Sequence, residues 1–523
     1  MIAAETFSDA ERALLAPFVS DLDAPVFALL GLPEATRGAL FARYSRYPGT
    51  LRRLLLDEFG EELQRPPSQS TAAGARSEAL YERVLGEYGD DSVAQLGGAH
   101  IACEWVSNVL TKVLQRPRLG AYLEQSTRYI PYDRPMPGGG YRYHREAELG
   151  PAYERAMDAL FETYSELLAA MRPWLAERFP PAPGETPAAH ERAVRAKALD
   201  LVRGLLPASA LSHVGIYASG QTFERLILHL RAHPLPEAQR CGEQLLAAMR
   251  VAAPSFVTRV DRPDRGGEWA RFLHARARAG TLAATRLGLG EPPAAQPAGV
   301  ELVRAEGDEE LLLAALLFEH STRSEGEARE AVAALSAQER GELLAGLLGD
   351  RVNRRHLPGR GLESLRYRFE IVSDYGAFRD LQRHRMLTAQ WQPLTPHLGA
   401  EVPEEVEQAG HGERYRAALE RSRSAWRELA DAGLEDRAPY ALCLAYRVRY
   451  VLDLDAREAM HLIELRSGGE GHAAYRRIAH EMHARIAAVH PAVAAAMTFL
   501  DGGGEPRLER LAAESRREAR GAD

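Results

Sequence analysis

Apolar residues recur along most of the chain at the three- and four-residue spacing of helices that face a core. Ile101, Trp105, Val109 and Val113, with Val106, Leu110 and Leu114 beside them, predict one buried helical stripe. A period of two appears where Leu365, Tyr367, Phe369 and Ile371 alternate with Arg366, Arg368 and Glu370, which predicts a half-buried strand. That strand runs into Tyr375–Arg385, where Tyr375, Phe378 and Leu381 predict a helix ending in a basic turn. Cations suit a helix C-terminus, so this is a reasonable frame for an anion site. The pattern lapses over Gly288–Gly299, a Pro/Ala/Gly stretch with the composition of a linker. The glycine triplets at Gly138–Gly140 and Gly502–Gly504 read as loops, because neither opens a helix after a strand as a phosphate loop does.

The two halves share an order of motifs. Gln115-Arg-Pro-Arg118 has a counterpart in Gln382-Arg-His-Arg385, and Arg225-x-x-x-His229-Leu has one in Arg457-x-x-x-His461-Leu. The first half carries about 35 more residues between its two blocks, which an insertion around 138–184 accounts for. The reading is an internal duplication, with a first copy over 1–287, a linker over 288–299 and a second copy over 300–523.

Composition narrows the function classes. The net charge of -8 argues against bulk attraction to nucleic acid or to an anionic membrane. Three cysteines, Cys103, Cys241 and Cys443, lie far apart in sequence, which excludes a disulfide framework or a cysteine-rich zinc site and fits a reducing compartment. No run of ~18 apolar residues predicts a membrane span. The N-terminus has no basic segment leading an apolar one, so it does not read as a signal peptide. The expectation is a soluble, cytoplasmic protein. Lysine occurs only at Lys112 and Lys197, so all but two of the 65 basic residues are arginine. At that frequency an Arg-x-Arg triplet arises by chance roughly seven times in this length, so none counts alone.

Two blocks have denser chemistry. In Arg116–Tyr129, a basic helix end is followed by a loop bearing Glu124, Gln125, Ser126 and Arg128. Amide, hydroxyl and guanidinium groups at that density can hydrogen-bond a phosphate and a base edge together, though a solvated arginine-rich turn has the same composition. In Asp455–His480, Arg457, His461 and Glu464 share one helix face, and Arg476 and His480 repeat the i, i+4 relation on the next helix. A histidine between arginines also serves as an ion-pair residue in a core. His480-Glu-Met-His483 resembles the zinc-protease helix motif only superficially, since its second histidine comes one residue too early. No metal site is expected.

With these residues in view, the chain resembles the flavin-dependent thymidylate synthases. Arg116-Pro-Arg118, seven residues, then Ser126 is similar to that family's signature of Arg-His-Arg, seven residues, Ser. Glu124-Gln-Ser-Thr-Arg-Tyr129 is similar to its nucleotide loop, Gly89-Asp-Asp-Ser-Val93 to an upstream segment, and Arg457–Arg476 to its later helices, with Asp455 where Asn is usual. The resemblance implies a helix-dominated α/β (α+β) fold in two copies, each a small, mainly antiparallel sheet covered by long helices. It implies reductive methylation of dUMP to dTMP, with FAD as cofactor and NADPH and methylenetetrahydrofolate as co-substrates. The cofactor carries the hard chemistry and the protein supplies positioning and charge. Ser126 would be a binding hydroxyl rather than a nucleophile.

The copies depart from the family pattern in complementary ways. In the first, Pro117 replaces the signature histidine, Leu96 an upstream histidine, and Glu243 a later arginine; in the second, Arg383-His-Arg385 is intact but Pro393 stands where serine belongs. Proline offers no side-chain donor or acceptor. Family sites lie between subunits, so the resemblance implies one composite site drawing on both copies. Its substrate-binding residues would be Glu124, Gln125, Ser126, Arg128, Gln382, Arg457 and Arg476. Arg383, His384, Arg385 and His480 would bind the cofactor, and Arg128, Arg385 and Arg476 would be catalytic. A homodimer would then imitate the family's four-subunit assembly, with dUMP and folate as partners and no nucleic acid or membrane. The alternative is a diverged FAD- or nucleotide-binding paralogue with altered or no catalysis, since fold does not fix function. A nucleic-acid-binding scaffold is disfavoured by the acidic balance and by the lack of an arginine-dense run with interleaved aromatics.

Overall fold

The computed structural model of the chain describes residues 6–521 except 25–26, 34–35, 38–39, 42–43, 45–46, 48–49, 64–94, 137–138 and 503–507. Gly89–Val93 and parts of both glycine triplets thus lie outside the described residues. In the first half, strand β1 (Gly98–Ser107) runs into helix α1 (Asn108–Leu114). Then come β2 (Gly120–Glu124), the long helix α2 (Gly150–Arg178), α3 (Pro187–Val202), β3 (Leu211–Ser219), α4 (Gly220–Arg231), α5 (Pro236–Ala252) and α6 (Glu268–Arg286). The second half opens with β4 (Gly299–Glu306) and three helices between residues 309 and 348. It continues through β5 (Arg366–Asp374), α7 (Tyr375–Leu381), β6 (Leu387–Trp391), α8 (Gly412–Asp431), β7 (Arg447–Asp455), α9 (Ala456–Arg466) and α10 (Ala473–Val489), and α11 (Leu511–Gly521) closes the chain.

Among the described residues helices dominate, and each half has one small antiparallel sheet, ordered β1-β3-β2 and β4-β5-β7-β6. The duplication extends to register. β2 pairs with β3 from Gly120↔Ala218 to Glu124↔Val214, and β6 pairs with β7 from Leu387↔Leu454 to Trp391↔Tyr450. In each pair the short strand covers the same five positions of the long one. Register this specific follows from a buried face, since a one-residue slip would turn every apolar side chain outward. The extra length of the first half lies in α2, 29 residues against 20 for α8, and in α3, which has no helical counterpart of its length before β7.

Two sequence expectations change. The stripe from Ile101 to Leu114 is helical only from Asn108 onward; Gly98–Ser107 is a strand. Ala99 and Cys103 are buried and His100, Ala102 and Glu104 exposed, the alternation of a strand. At Trp105 the backbone turns to φ 56°, a left-handed conformation rare outside glycine, and the next two residues are both buried. That phase slip produced the four-residue spacing that mimics a helix. The second change concerns the later blocks. Ser219 caps α4 and Asp455 caps α9, each accepting a backbone N–H three residues on. Arg225 lies six residues past its cap and Arg457 two past its own, so these two arginines are not equivalent positions.

By contacts the described chain forms two compact units, one of residues 1–106, 113–125 and 212–291, the other of 107–112, 126–211 and 292–523. In the first unit, α4 and α5 pack through Phe223, Ile227, Leu230, Leu245 and Met249, all buried. In the second, β5 and β7 bury Phe369, Ile371, Tyr450 and Leu452 beneath α7 and α10. There too, Tyr153, Met157, Leu160, Tyr164, Leu167 and Met171 form the buried stripe of α2, which packs on α8. The segment that follows β2, with α2 and α3, thus shares a unit with the whole second copy.

Candidate functional site

The predicted strand, helix and basic turn are present as β5, α7 and residues 382–385. Asp374 caps α7, its Oδ1 accepting from the Ala377 N–H at 2.9 Å, and the seven-residue helix delivers Gln382 at its end. Gln382 is buried; its amide donates to the Lys112 carbonyl at 3.1 Å, and its Oε1 has no hydrogen-bond partner. In the first copy the equivalent Gln115 donates to Glu124 at 2.8 Å. Trp391 stands where Glu124 would fall in the second copy, so that partner is lost.

Around this turn the second unit gathers arginines. Arg128 lies in a bidentate fork on Asp200, Nε to Oδ1 at 2.8 Å and Nη2 to Oδ2 at 2.6 Å, and also donates to the Tyr475 hydroxyl at 2.7 Å and the Glu470 carbonyl at 3.2 Å. Arg510 approaches the same Asp200 at 3.8 Å. Asp380 takes Arg203 at 3.4 Å and Arg383 at 3.6 Å, and lies in the field of Arg466 as well. Five guanidinium groups therefore face Asp200 and Asp380, with Asp374 beside Arg203 and Glu458 in the field of Arg466, so positive charge remains in excess. Burial pushes Asp200 up, but Arg128 outweighs it and holds the carboxyl at about 2. Burial lowers Arg466 and Arg510, and mutual repulsion with Arg128 adds to it. An anion is the group that would relieve this imbalance, and guanidinium forks match phosphate oxygens.

His384 is buried with both ring nitrogens engaged. Nδ1 lies 2.8 Å from Glu458 Oε1, and Nε2 accepts from Arg466 Nε at 3.1 Å. Since an arginine can only donate, Nε2 is the unprotonated nitrogen and Nδ1–H points at Glu458. Burial, Arg466 and His461 all hold the imidazole well below its usual range, so it is neutral. Burial pushes Glu458 up to about 7.

The remaining expected residues are dispersed. Glu124 ends β2 in the first unit and Gln125 follows it, its N–H donating to the His213 carbonyl at 2.9 Å. Ser126 Oγ accepts from the Arg128 N–H at 3.2 Å and so shapes the loop. Arg385 is half-buried in the turn before β6. Arg457 donates to the Pro358 carbonyl at 2.9 Å and faces Glu363 at 3.7 Å. Glu464, on the same face, is fully buried against Arg351 at 2.5 Å. Glu243, in the first unit, is taken by Arg231 at 2.7 and 2.8 Å. His483 contacts the Ala494 carbonyl. Among the described residues no cluster of three metal-ligating side chains forms, and no helix is long and apolar enough to cross a membrane.

Arg476 and His480 line a cavity of about 880 Å³ in the second unit, along with Asp200, Arg203, Asp374 and His472. Arg476 is buried and donates from Nε to the Ser467 carbonyl at 3.0 Å. Sequence reasoning missed Asp200, Arg203, Asp380, Glu458, Arg466, Tyr475 and Arg510. The one signal available for Arg466 was its place at the end of the Arg457 helix.

Known proteins resemble this chain along both halves. A family model described as thymidylate synthase complementing protein matches residues 49–255 and 301–492. A UPF0159 protein of Chlamydia muridarum is 36% identical over 526 residues, covering 98% of this chain and 99% of its own. One from Chlamydia pneumoniae is 36% identical over 530 residues, 98% of each chain. One from Thermoplasma acidophilum is 32% identical over 512 residues, 92% of this chain and 98% of its own.

Proposed function

The chain belongs to the thymidylate synthase complementing protein family, matched once in each half, and from that premise we propose that it catalyses FAD-dependent reductive methylation of dUMP to dTMP. NADPH and methylenetetrahydrofolate are the co-substrates, and one site draws residues from both copies. The observation that carries this reading is the excess of guanidinium over carboxylate around Arg128 and the 383–385 turn, within one unit. Arg128 comes from the first copy and Arg383, His384 and Arg385 from the second.

The residues fit a nucleotide carrying phosphate. The local excess of arginine over carboxylate suits the anion, and the unpartnered Gln382 Oε1 suits a base or flavin N–H. When bound, FAD supplies the hydride that NADPH provides. Arg383 and Arg385 bind charge at the turn, and Ser126 fixes the backbone that presents Arg128. His384, with both nitrogens engaged, positions rather than contacts. Arg466 and Glu458 keep it in one tautomer and so keep the turn in one shape.

A second reading has its own observation. The Arg128 fork is already filled by Asp200, and Arg457 is held at the far end of α9 by Pro358 and Glu363. A diverged nucleotide-binding paralogue with altered or no catalysis accounts for both. The test is release of tritium from [5-³H]dUMP, with dTMP quantified, in the presence of FAD, NADPH and methylenetetrahydrofolate. Synthase activity requires both signals; a protein that retains FAD and dUMP yet gives neither is the paralogue.

A further inference from the structure

The family match ends at residue 492, yet the chain returns to the arginine cluster beyond it. Leu508, Glu509 and Arg510 are buried, and α11 packs along α3, the helix that bears Asp200. Charges are matched in order along this contact. Glu509 takes Lys197 at 2.6 Å and Arg510 faces Asp200 one turn on, all four side chains less than a tenth exposed. Farther along, Glu514 takes Arg192 at 2.6 Å. These pairs fix where Arg510 stands, because a shift of the segment would leave the buried Glu509 carboxylate without its cation.

Arg510 and Arg128 are rival donors to one carboxylate. Arg510 Nη1 donates to the Arg128 carbonyl at 3.3 Å, and its guanidinium lies 4.0 Å from the centre of the Tyr129 ring. Its Nη2 makes no hydrogen bond and stops 3.8 Å from Asp200 Oδ1, the oxygen that accepts from Arg128 Nε at 2.8 Å. A movement of about 1 Å would bring Nη2 into hydrogen-bonding range of that oxygen. The Nε–Nη2 edge of Arg128, which Asp200 occupies, is of the kind that takes a phosphate bidentately. Drawing it away would leave a buried carboxylate uncompensated unless a second cation takes its place. His472 cannot serve, because burial and Arg203 push it down to about 3 and keep it neutral.

We propose that Arg510 is a positioning residue of the nucleotide site: when a phosphate takes the Nε–Nη2 edge of Arg128, Asp200 passes to Arg510. The inference rests on the nucleotide reading of that site and supplies the step that frees Arg128. Only hydrogen bonds are exchanged. Tyr475 holds Nη1, outside the contested edge, so Arg128 is turned rather than let go.

The test is a double-mutant cycle of Arg510→Ala and Asp200→Asn in the full-length protein, read as dUMP affinity by isothermal titration calorimetry with FAD present. Arg510→Ala alone should weaken dUMP at least about tenfold, since Asp200 then has no cation to turn to. In Asp200→Asn there is no carboxylate to hand over, so adding Arg510→Ala should change the affinity less than about twofold. That result also shows that the site folds without the Arg510 side chain. Arg510→Lys, which keeps a point charge for Asp200, should bind dUMP within about threefold of wild type. An equal loss in both backgrounds means that Arg510 grips the phosphate itself or only holds the fold. No loss in either means that Asp200 stays with Arg128. Each of these overturns the exchange while the nucleotide site stands, whereas no dUMP binding by wild type removes both. If dTMP formation fails while the cycle behaves as expected, only the synthase reading falls.

Discussion

Replacing Asp200 by asparagine removes the charge that balances Arg128 while keeping the shape of the side chain. The pair is buried, with 11% and 9% of the two side chains exposed, and it is bidentate. Breaking a buried pair by removing one partner costs about 3–5 kcal/mol, because a charge is left uncompensated. Arg128 keeps the Tyr475 hydroxyl and the Glu470 carbonyl, and asparagine keeps one acceptor, so the lower end, about 3 kcal/mol, applies. Linkage gives a consistent figure. A carboxyl held at about 2 in place of its ordinary 3.8 contributes about 2.5 kcal/mol. The sign follows from the direction: the folded value is depressed, so the stability is present above pH 4 and is lost as pH falls through 2. Urea unfolding of wild type and Asp200→Asn, followed by tryptophan fluorescence, should differ by about 2–3 kcal/mol at pH 7, by roughly half that at pH 3, and converge only below about pH 2. The variant has one more unbalanced arginine, so it should also bind dUMP more tightly. A difference under about 1 kcal/mol at pH 7, or one unchanged at pH 3, refutes the reasoning.

Ser126→Ala and Arg385→Ala, one in each copy, should both weaken FAD or dUMP binding in fluorescence titrations; an effect from only one of them removes the composite site. Burial holds His384 well below the ordinary imidazole value of 6.5, so its imidazole signals in a ¹³C-labelled histidine spectrum should show no titration at 6.5, and a midpoint at or above that value is the contrary result. Burial raises Glu458 to about 7, which makes the native state lose stability as pH rises from 4.5 toward 7. Glu458→Gln should therefore flatten that pH dependence in thermal melts, and a wild-type slope preserved in the variant contradicts it. Glu464→Gln leaves Arg351 buried against a neutral partner and should cost about 3 kcal/mol in the same unfolding assay, while a neutral effect would mean that solvent reaches the pair.

The sequence carried the repeat and the turn, and lost what depends on distant contacts. Alternation at Leu365–Ile371 and the apolar spacing of Tyr375, Phe378 and Leu381 located β5 and α7, because one buried sheet face and one helix stripe write themselves locally. Gln115 and Gln382 were matched correctly, since each follows a seven-residue helix. Arg225 and Arg457 were not, because arginine is common here and a four-residue spacing to histidine fits many places; the caps Ser219 and Asp455 held the better signal. Arg128 was singled out, but its partner Asp200 lies 72 residues away and no spacing rule reaches it. Arg476 and His480 line, from α10, the cavity that Asp200 and Arg203 also line, while Tyr475 on the same helix reaches Arg128, a difference in direction set by the phase of a buried helix.

The central claim is a single nucleotide site assembled from two unequal copies. The most direct measurement is the visible absorption spectrum of the purified protein after loading with FAD and removal of free ligand. The account predicts a retained flavin band at one FAD per chain, lost in both Ser126→Ala and Arg385→Ala. Two per chain would mean that each copy's signature still binds, and no retained band would leave the arginine cluster without the cofactor assigned to it; either result contradicts the account.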